Sequence, residues 1–63
     1  MTPGQLIESR RAELGWTQAE AAQRMGVTQA YWSALEADRK SPTIRTLARI
    51  AAALGCTVED LVG

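Results

Sequence analysis

Apolar residues recur along this chain at spacings of three and four, and no segment alternates with period two over a useful length. The pattern predicts helices and no strands. The first helix spans about residues 3–14: Pro3 suits a first turn, Leu6, Ile7 and Leu14 share a face, and Gly15 ends it. The second, about 18–25, is announced by "TQAE", with Thr17 as N-cap and Glu20 as its capping-box partner. Ala21, Ala22 and Met25 give it a buried stripe, and Gly26 closes it. "GVT" leaves room only for a tight turn before a third helix, about 29–37, capped by Thr28. Pro42 in "ADRKSP" stops that helix. Thr43 caps a fourth, about 44–54, where Ile44, Leu47, Ile50, Ala51 and Leu54 form the strongest stripe, ended by Gly55. Thr57 and Asp60 pair at the start of a short fifth, about 58–62, which carries Val58, Leu61 and Val62.

Two neighbouring helices joined only by Gly26, Val27 and Thr28 must cross steeply, which is helix-turn-helix geometry. The third helix has an unusual solvent face. At about 100° per residue, Trp32 and Leu35 lie within about 40° of Thr28, the buried direction. Gln29, Ser33, Ala37, Ala30 and Ala34 fill the arc from about 100° to about 240°, with Tyr31 at the edge of the buried side. A surface helix ordinarily carries lysine, arginine or glutamate there. One glutamine, one serine and three alanines instead let a partner approach the backbone closely.

The chain has 63 residues, 46% of them apolar, enough for one folded domain spanning residues 1–63. A domain of this size buries only about 60% of its unfolded surface, so its core is small. Seven basic and seven acidic residues cancel, and bulk charge does not announce a nucleic-acid partner. The distribution is uneven: residues 28–49 hold Arg39, Lys40, Arg45 and Arg49 against Glu36 and Asp38, whereas residues 50–63 hold only Glu59 and Asp60. Arg45 and Arg49 read as solvated. The lone Cys56 excludes an internal disulfide and reads as a small hydrophobe in a reducing cytoplasm. No signal peptide and no run long enough to span a membrane is evident. With no histidine, one cysteine and no phosphate-loop or dinucleotide glycine pattern, the usual sets of catalytic, metal and cofactor groups are missing, and no small-molecule ligand is indicated.

Residues 17–62, "TQAEAAQRMGVTQAYWSALEADRKSPTIRTLARIAAALGCTVEDLV", resemble the phage repressor and Cro type of helix-turn-helix protein, the xenobiotic-response-element-like family. "TQ" opening the second helix, "GVT", Leu35-Glu36, Pro42, Leu47, Ile50-Ala51, "ALG" and the final "DL" carry the likeness. The resemblance implies an all-α, five-helix, lambda-repressor-like domain that binds double-stranded DNA through its third helix in the major groove. It implies that Thr17 and Gln18 meet a phosphate. Thr28, Gln29, Ala30, Ser33 and Ala34 then face bases or nearby phosphates, with Tyr31 a core-edge residue or phosphate contact. Arg39, Lys40 and Thr43 are implied to hold the DNA backbone. Arg11 and Glu36 match a partly buried salt bridge between the first and third helices. Trp32 stands where relatives often have isoleucine or valine, and Ala21 where leucine is common, which suggests a compensating swap of volume. Asp38 replaces a common glycine, and aspartate tolerates left-handed backbone better than most residues.

Three function classes are compatible with the sequence to different degrees. The leading one is a sequence-specific DNA-binding regulator, or the DNA-binding domain of one, acting as a homodimer if Val58, Leu61 and Val62 form a contact surface rather than intramolecular core. The second is an antitoxin-like or partner-binding protein module on the same scaffold. An enzyme is the least favoured. The alanine-rich face also fits an engineered recognition surface on a family scaffold.

Overall fold

Five threonines start five helices. In the computed structural model, which describes residues 1–63, Thr2, Thr17, Thr28, Thr43 and Thr57 each accept a hydrogen bond from the backbone three residues on. They open α1 (Pro3–Glu13), α2 (Gln18–Met25), α3 (Gln29–Glu36), α4 (Ile44–Leu54) and α5 (Val58–Val62). The expected capping boxes at Thr17 and Thr57 are formed, and Thr2 with Gln5 makes a third that the sequence reading had not named. The helix boundaries differ from expectation by single residues, at the ends of α1 and α3.

The first four helices end in one geometry. In each, a residue just past the helix donates to the carbonyl five back, and its predecessor donates to the carbonyl three back. The pairs are Trp16 to Arg11 with Gly15 to Ala12, Val27 to Ala22 with Gly26 to Gln23, Arg39 to Ala34 with Asp38 to Leu35, and Cys56 to Ala51 with Gly55 to Ala52. This Schellman arrangement needs a left-handed residue. Glycine supplies it three times, and Asp38, at φ 60°, is the sole non-glycine residue with positive φ.

Ile7, Ala21, Ala22, Met25, Trp32, Leu35, Leu47, Ile50, Ala51, Leu54 and Leu61 form one buried cluster to which every helix contributes. Trp32 and Ala21 are both in it, as the volume swap requires. Cys56 packs against its edge, and burial pushes its thiol above the ordinary range, in keeping with an inert hydrophobe. Trp16 is half-buried against the core, with the Arg24 guanidinium 4.3 Å from its ring centre in a cation–π pair.

Four expectations about this core need correction. Ile44 is 77% exposed, because it is the first residue of α4 and at the edge of the stripe. Leu14 lies beyond the last turn of α1, in its cap, and is largely exposed. Leu61 is fully buried in the intramolecular core, so it is not available for a dimer surface. Arg49 is not simply solvated: it donates to the Met25 carbonyl at 3.2 Å, tying α4 to an orphan carbonyl at the end of α2.

Asp38 explains its own presence at a glycine position. Its carboxylate accepts from the Thr2 hydroxyl and, at 2.9 Å, from the Gly4 backbone N–H. It thus supplies the negative charge at the start of α1 that the helix's own first turn lacks. The contact requires α1 to lie almost on the end of α3. A Cβ at Gly4 would stand 2.5 Å from the Glu36 carbonyl oxygen and 2.7 Å from that of Leu35. Glycine inside a helix is ordinarily replaced by alanine with a gain in stability. Gly4→Ala is expected to do the reverse, lowering stability by about 1–3 kcal/mol as backbone must move aside. Asp38→Ala loses both the cap and the tolerance of positive φ, at a cost of about 2 kcal/mol, and Asp38→Gly loses only the cap. Urea titrations of the three variants test the sign of the first and the order of the other two.

Candidate nucleic-acid interface

Gly26, at φ 70°, and the cap residue Thr28 turn the chain from α2 into α3 within the three residues expected. The face of α3 is narrower than the angular reading gave. Gln29, Ala30 and Ala37 are exposed and Ser33 is half-exposed, but Ala34 is buried. The chain turns back at this end of the helix, where the N–H groups of Arg39 and Lys40 both donate to the Ala34 carbonyl. Tyr31 packs against the edge of the core, the first of the two roles weighed for it. What remains open is the N-terminal turn, presenting Thr28, Gln29 and Ala30.

The starts of α2, α3 and α4 share an electrostatic property. In each, the cap threonine's hydroxyl and carbonyl accept the third and fourth N–H groups. The first two stay without an intrahelical partner: those of Gln18 and Ala19, of Gln29 and Ala30, and of Ile44 and Arg45. Such paired donors, with the helix dipole behind them, favour anions. Around Thr17 the Glu20 carboxylate already accepts the Thr17 N–H, and these hydrogen bonds hold its pKa low. At α4 the Thr43 hydroxyl donates to Thr46, so backbone rather than side chain is the free donor there. Arg39 and Lys40 are exposed on the loop between α3 and α4.

Behind this surface lies Glu36, buried at the end of α3. Its Oε2 accepts from Arg11 Nε at 2.5 Å and Trp32 Nε1 at 2.6 Å, and its Oε1 from Arg11 Nη2 at 3.1 Å and Gln18 Nε2 at 2.9 Å. Arg11 also donates to the Trp16 carbonyl at 2.8 Å. The salt bridge implied by the resemblance is therefore present, and larger than expected. Burial alone would push the Glu36 carboxyl up, but the hydrogen bonds from Arg11, Gln18 and Trp32 together outweigh it and hold the pKa below the usual range. The same pairing raises Arg11.

Two of these partners were missed from sequence. Gln18 was assigned to phosphate, yet one N–H of its amide is committed to Glu36, leaving the second N–H and its backbone N–H as outward donors. Trp32 was read as apolar filling only. The one available signal was its four-residue spacing from Glu36, which places indole and carboxylate on one side of the helix.

A family model described as Helix-turn-helix matches residues 7–61. The chain belongs to that helix-turn-helix family, in its phage repressor and Cro type. It is 52% identical over 57 residues to an uncharacterised HTH-type transcriptional regulator of Methanothermobacter thermautotrophicus, covering 89% of this chain and 83% of that protein. It is 38% identical to the immunity repressor protein of Bacillus phage phi105 over all 63 residues, but spans only 44% of that repressor. The P22 c2 repressor, solved in complex with a synthetic operator, superposes with a TM-score of 0.91 at 27% identity, over 98% of this chain and 94% of that one. The fold also recurs in the hydroxypropylphosphonic acid epoxidase of S. wedmorenis, with a TM-score of 0.89 at 27% identity, over 97% of this chain and 32% of that one.

The Glu36 cluster makes stability depend on pH. Because the folded carboxyl titrates below its unfolded value of about 4.3, its contribution is complete above that pH and is lost as pH falls through the folded value. Glu20 and Asp60, also lowered, act in the same direction from the surface. Urea midpoints should fall on acidification below about pH 5, and less steeply in Glu36→Gln than in the parent. At neutral pH that variant removes the carboxylate paired with Arg11 and should lose about 3–5 kcal/mol.

Proposed function

We propose that this chain binds double-stranded DNA sequence-specifically, as a small transcriptional regulator or the DNA-binding domain of one, with the start of α3 in the major groove. The observation that carries the reading is the open first turn of α3. Gln29 and Ala30 are exposed there, no charged residue lies within four positions of either along the chain, and a buried ion pair fixes the other end of the helix. A glutamine amide can pair with adenine through two hydrogen bonds, and an alanine methyl suits the methyl group of thymine. Thr28 and Ser33 flank them. The starts of α2 and α4, at Thr17–Gln18 and Thr43, with Arg39 and Lys40, supply the phosphate contacts. Ala34 drops out of the contacting set on account of its burial.

One helix reads only a few base pairs, so specificity calls for two copies on a symmetric site, about 34 Å apart. With Leu61 in the core, Val62, exposed at the end of α5, and the half-buried Val58 are what the C-terminal helix offers to a second copy. No helix is long and apolar enough to cross a membrane, and the lone cysteine suits a cytoplasmic regulator. The occurrence of this fold within an epoxidase favours one further reading, a non-enzymatic module that docks on protein through the same smooth turn.

Selection of bound duplexes from a randomised pool separates the two readings. The parent should enrich a palindromic motif, and Gln29→Ala should lose about 1–3 kcal/mol of discrimination at one base pair while remaining folded. The neutral chain makes few phosphate contacts, so its log–log salt dependence should be shallow for this class yet clearly non-zero between about 50 and 300 mM. A flat salt response with no enriched motif would sink the DNA reading and leave the protein-docking one.

A further inference from the structure

We propose that a cavity beside the α3–α4 loop binds a small monocarboxylate with an apolar body, and that this ligand opposes DNA. The effect on DNA rests on the DNA-binding reading above; the site itself does not. The cavity measures about 200 Å³ and lies where the start of α1, the end of α3, the α3–α4 loop, α4 and α5 converge. Ile7, Leu35 and Leu47 belong to the core and form its floor, and Val62 adds apolar surface. Lys40 and Ser41 are exposed and stand at its mouth. Five separate segments build it, so no single stretch of sequence announces it.

Charge selects the kind of ligand. Two ionisable side chains line the cavity, Asp38 and Lys40. Asp38 is occupied: one carboxylate oxygen accepts from the Thr2 hydroxyl and the other from the Gly4 N–H. Lys40 has no ion-pair partner, since the salt bridges of the fold are Arg10–Asp60 and Arg11–Glu36. The uncommitted charge is therefore positive, beside a hydroxyl able to donate, at the edge of an apolar hollow. Such a setting orients a ligand by one polar head and holds it by an apolar body. A single cation matches a carboxylate one to one, whereas a dianionic phosphate would be half neutralised. Size sets the body. A dry cavity of about 150 Å³ holds benzene, so this one has room for about six carbons and a carboxylate.

Lys40 is also among the residues assigned to phosphate contact. A carboxylate seated at the mouth of the cavity neutralises it, so ligand and DNA backbone compete for one ammonium. The coupling is reciprocal: the ligand weakens DNA binding by the same factor by which DNA weakens the ligand. Benzoate is the probe. Benzyl alcohol, with the same ring and no charge, and acetate, with the charge and no ring, are the controls, all at constant ionic strength.

In an isotope-labelled chain, benzoate should move the amide resonances of the cavity residues saturably and leave Gln29 and Ala30 in place. A dissociation constant on the order of 1 mM is expected for a ligand of about nine non-hydrogen atoms. Benzyl alcohol should bind about threefold to fivefold more weakly, as for loss of one exposed ion pair, and acetate more than about tenfold. Lys40→Gln, a change at an exposed position, should bring benzoate down to the level of benzyl alcohol. Saturating benzoate should lower the log–log salt slope on the selected duplex by about 1, and Lys40→Gln should do the same without ligand. Scattered or unsaturable shifts overturn the site, as does equal binding of benzoate and benzyl alcohol, or undiminished binding by Lys40→Gln. Shifts at the same residues on raising protein concentration alone mark a contact between copies and also overturn it. A filled cavity with an unchanged salt slope overturns the opposition to DNA. If the parent selects no duplex motif, the DNA-binding reading fails, while the amide shifts still decide the site.

Discussion

A carboxylate removed from water governs this small domain. Glu36 has given up hydration, which is tolerable only if every lone pair finds a donor. Here four N–H groups from Arg11, Gln18 and Trp32 do so, and they come from α1, α2 and α3 itself. The condition is demanding, since withdrawing one helix strips donors from a buried charge. In a chain with an eleven-residue core, that requirement fixes an arrangement which apolar burial alone would leave loosely specified. Whether the ion pair adds net stability over an apolar substitute is a separate matter; its clear contribution is to make one geometry far better than its neighbours.

That constraint divides α3 along its length as well as around its axis. The C-terminal half is immobilised: Glu36 is in the cluster, Leu35 is in the core, and Ala34 receives the returning chain. Gly4 of α1 lies almost against the last carbonyls. The N-terminal half has its cap, its core face and an open surface. A recognition element needs this polarity, because a contacting side chain is useful only when the helix beneath it is stationary. Ala30 and Ala34, equivalent as small residues in the sequence, therefore have different work. Ala30 keeps the exposed first turn smooth, and Ala34 leaves room for the chain to turn.

The helices were legible because their signals are local. A threonine cap, a glutamate three residues later and a terminal glycine act within a single turn and need no tertiary partner. The same locality explains the errors. Ile44 fits the period of its helix, but periodicity does not say whether a neighbour covers the first turn. Sequence alone does not divide Leu61 between core and dimer surface, because an apolar residue on a short helix looks the same in either role. The candidate site was half legible. Gln29 and Ala30 followed from helix geometry and the turn. The side-chain bonds of Gln18, Trp32, Asp38 and Arg49 join residues whose partners lie on other elements or along a face read as apolar, and nothing local marks them. Asp38 was recognised as tolerating left-handed backbone, but its charge proved equally relevant, since it caps a helix 34 residues away.

Zero net charge looked like an argument against nucleic acid, and the fold shows why the count misleads. Formal charge omits the fixed partial charges of the backbone. The starts of α2, α3 and α4 each carry two N–H groups without an intrahelical partner. Meanwhile Glu36 is turned inward onto Arg11, and Asp38 is occupied by the start of α1. These two are the acidic residues of the region expected to be basic, and both are paired with positive charge or a positive dipole end within the fold. Arg39 and Lys40 are thereby left with less opposition than the sequence implies. The surface offered to an anion is more positive than the chain, and it became so through the same contacts that hold α3 in place.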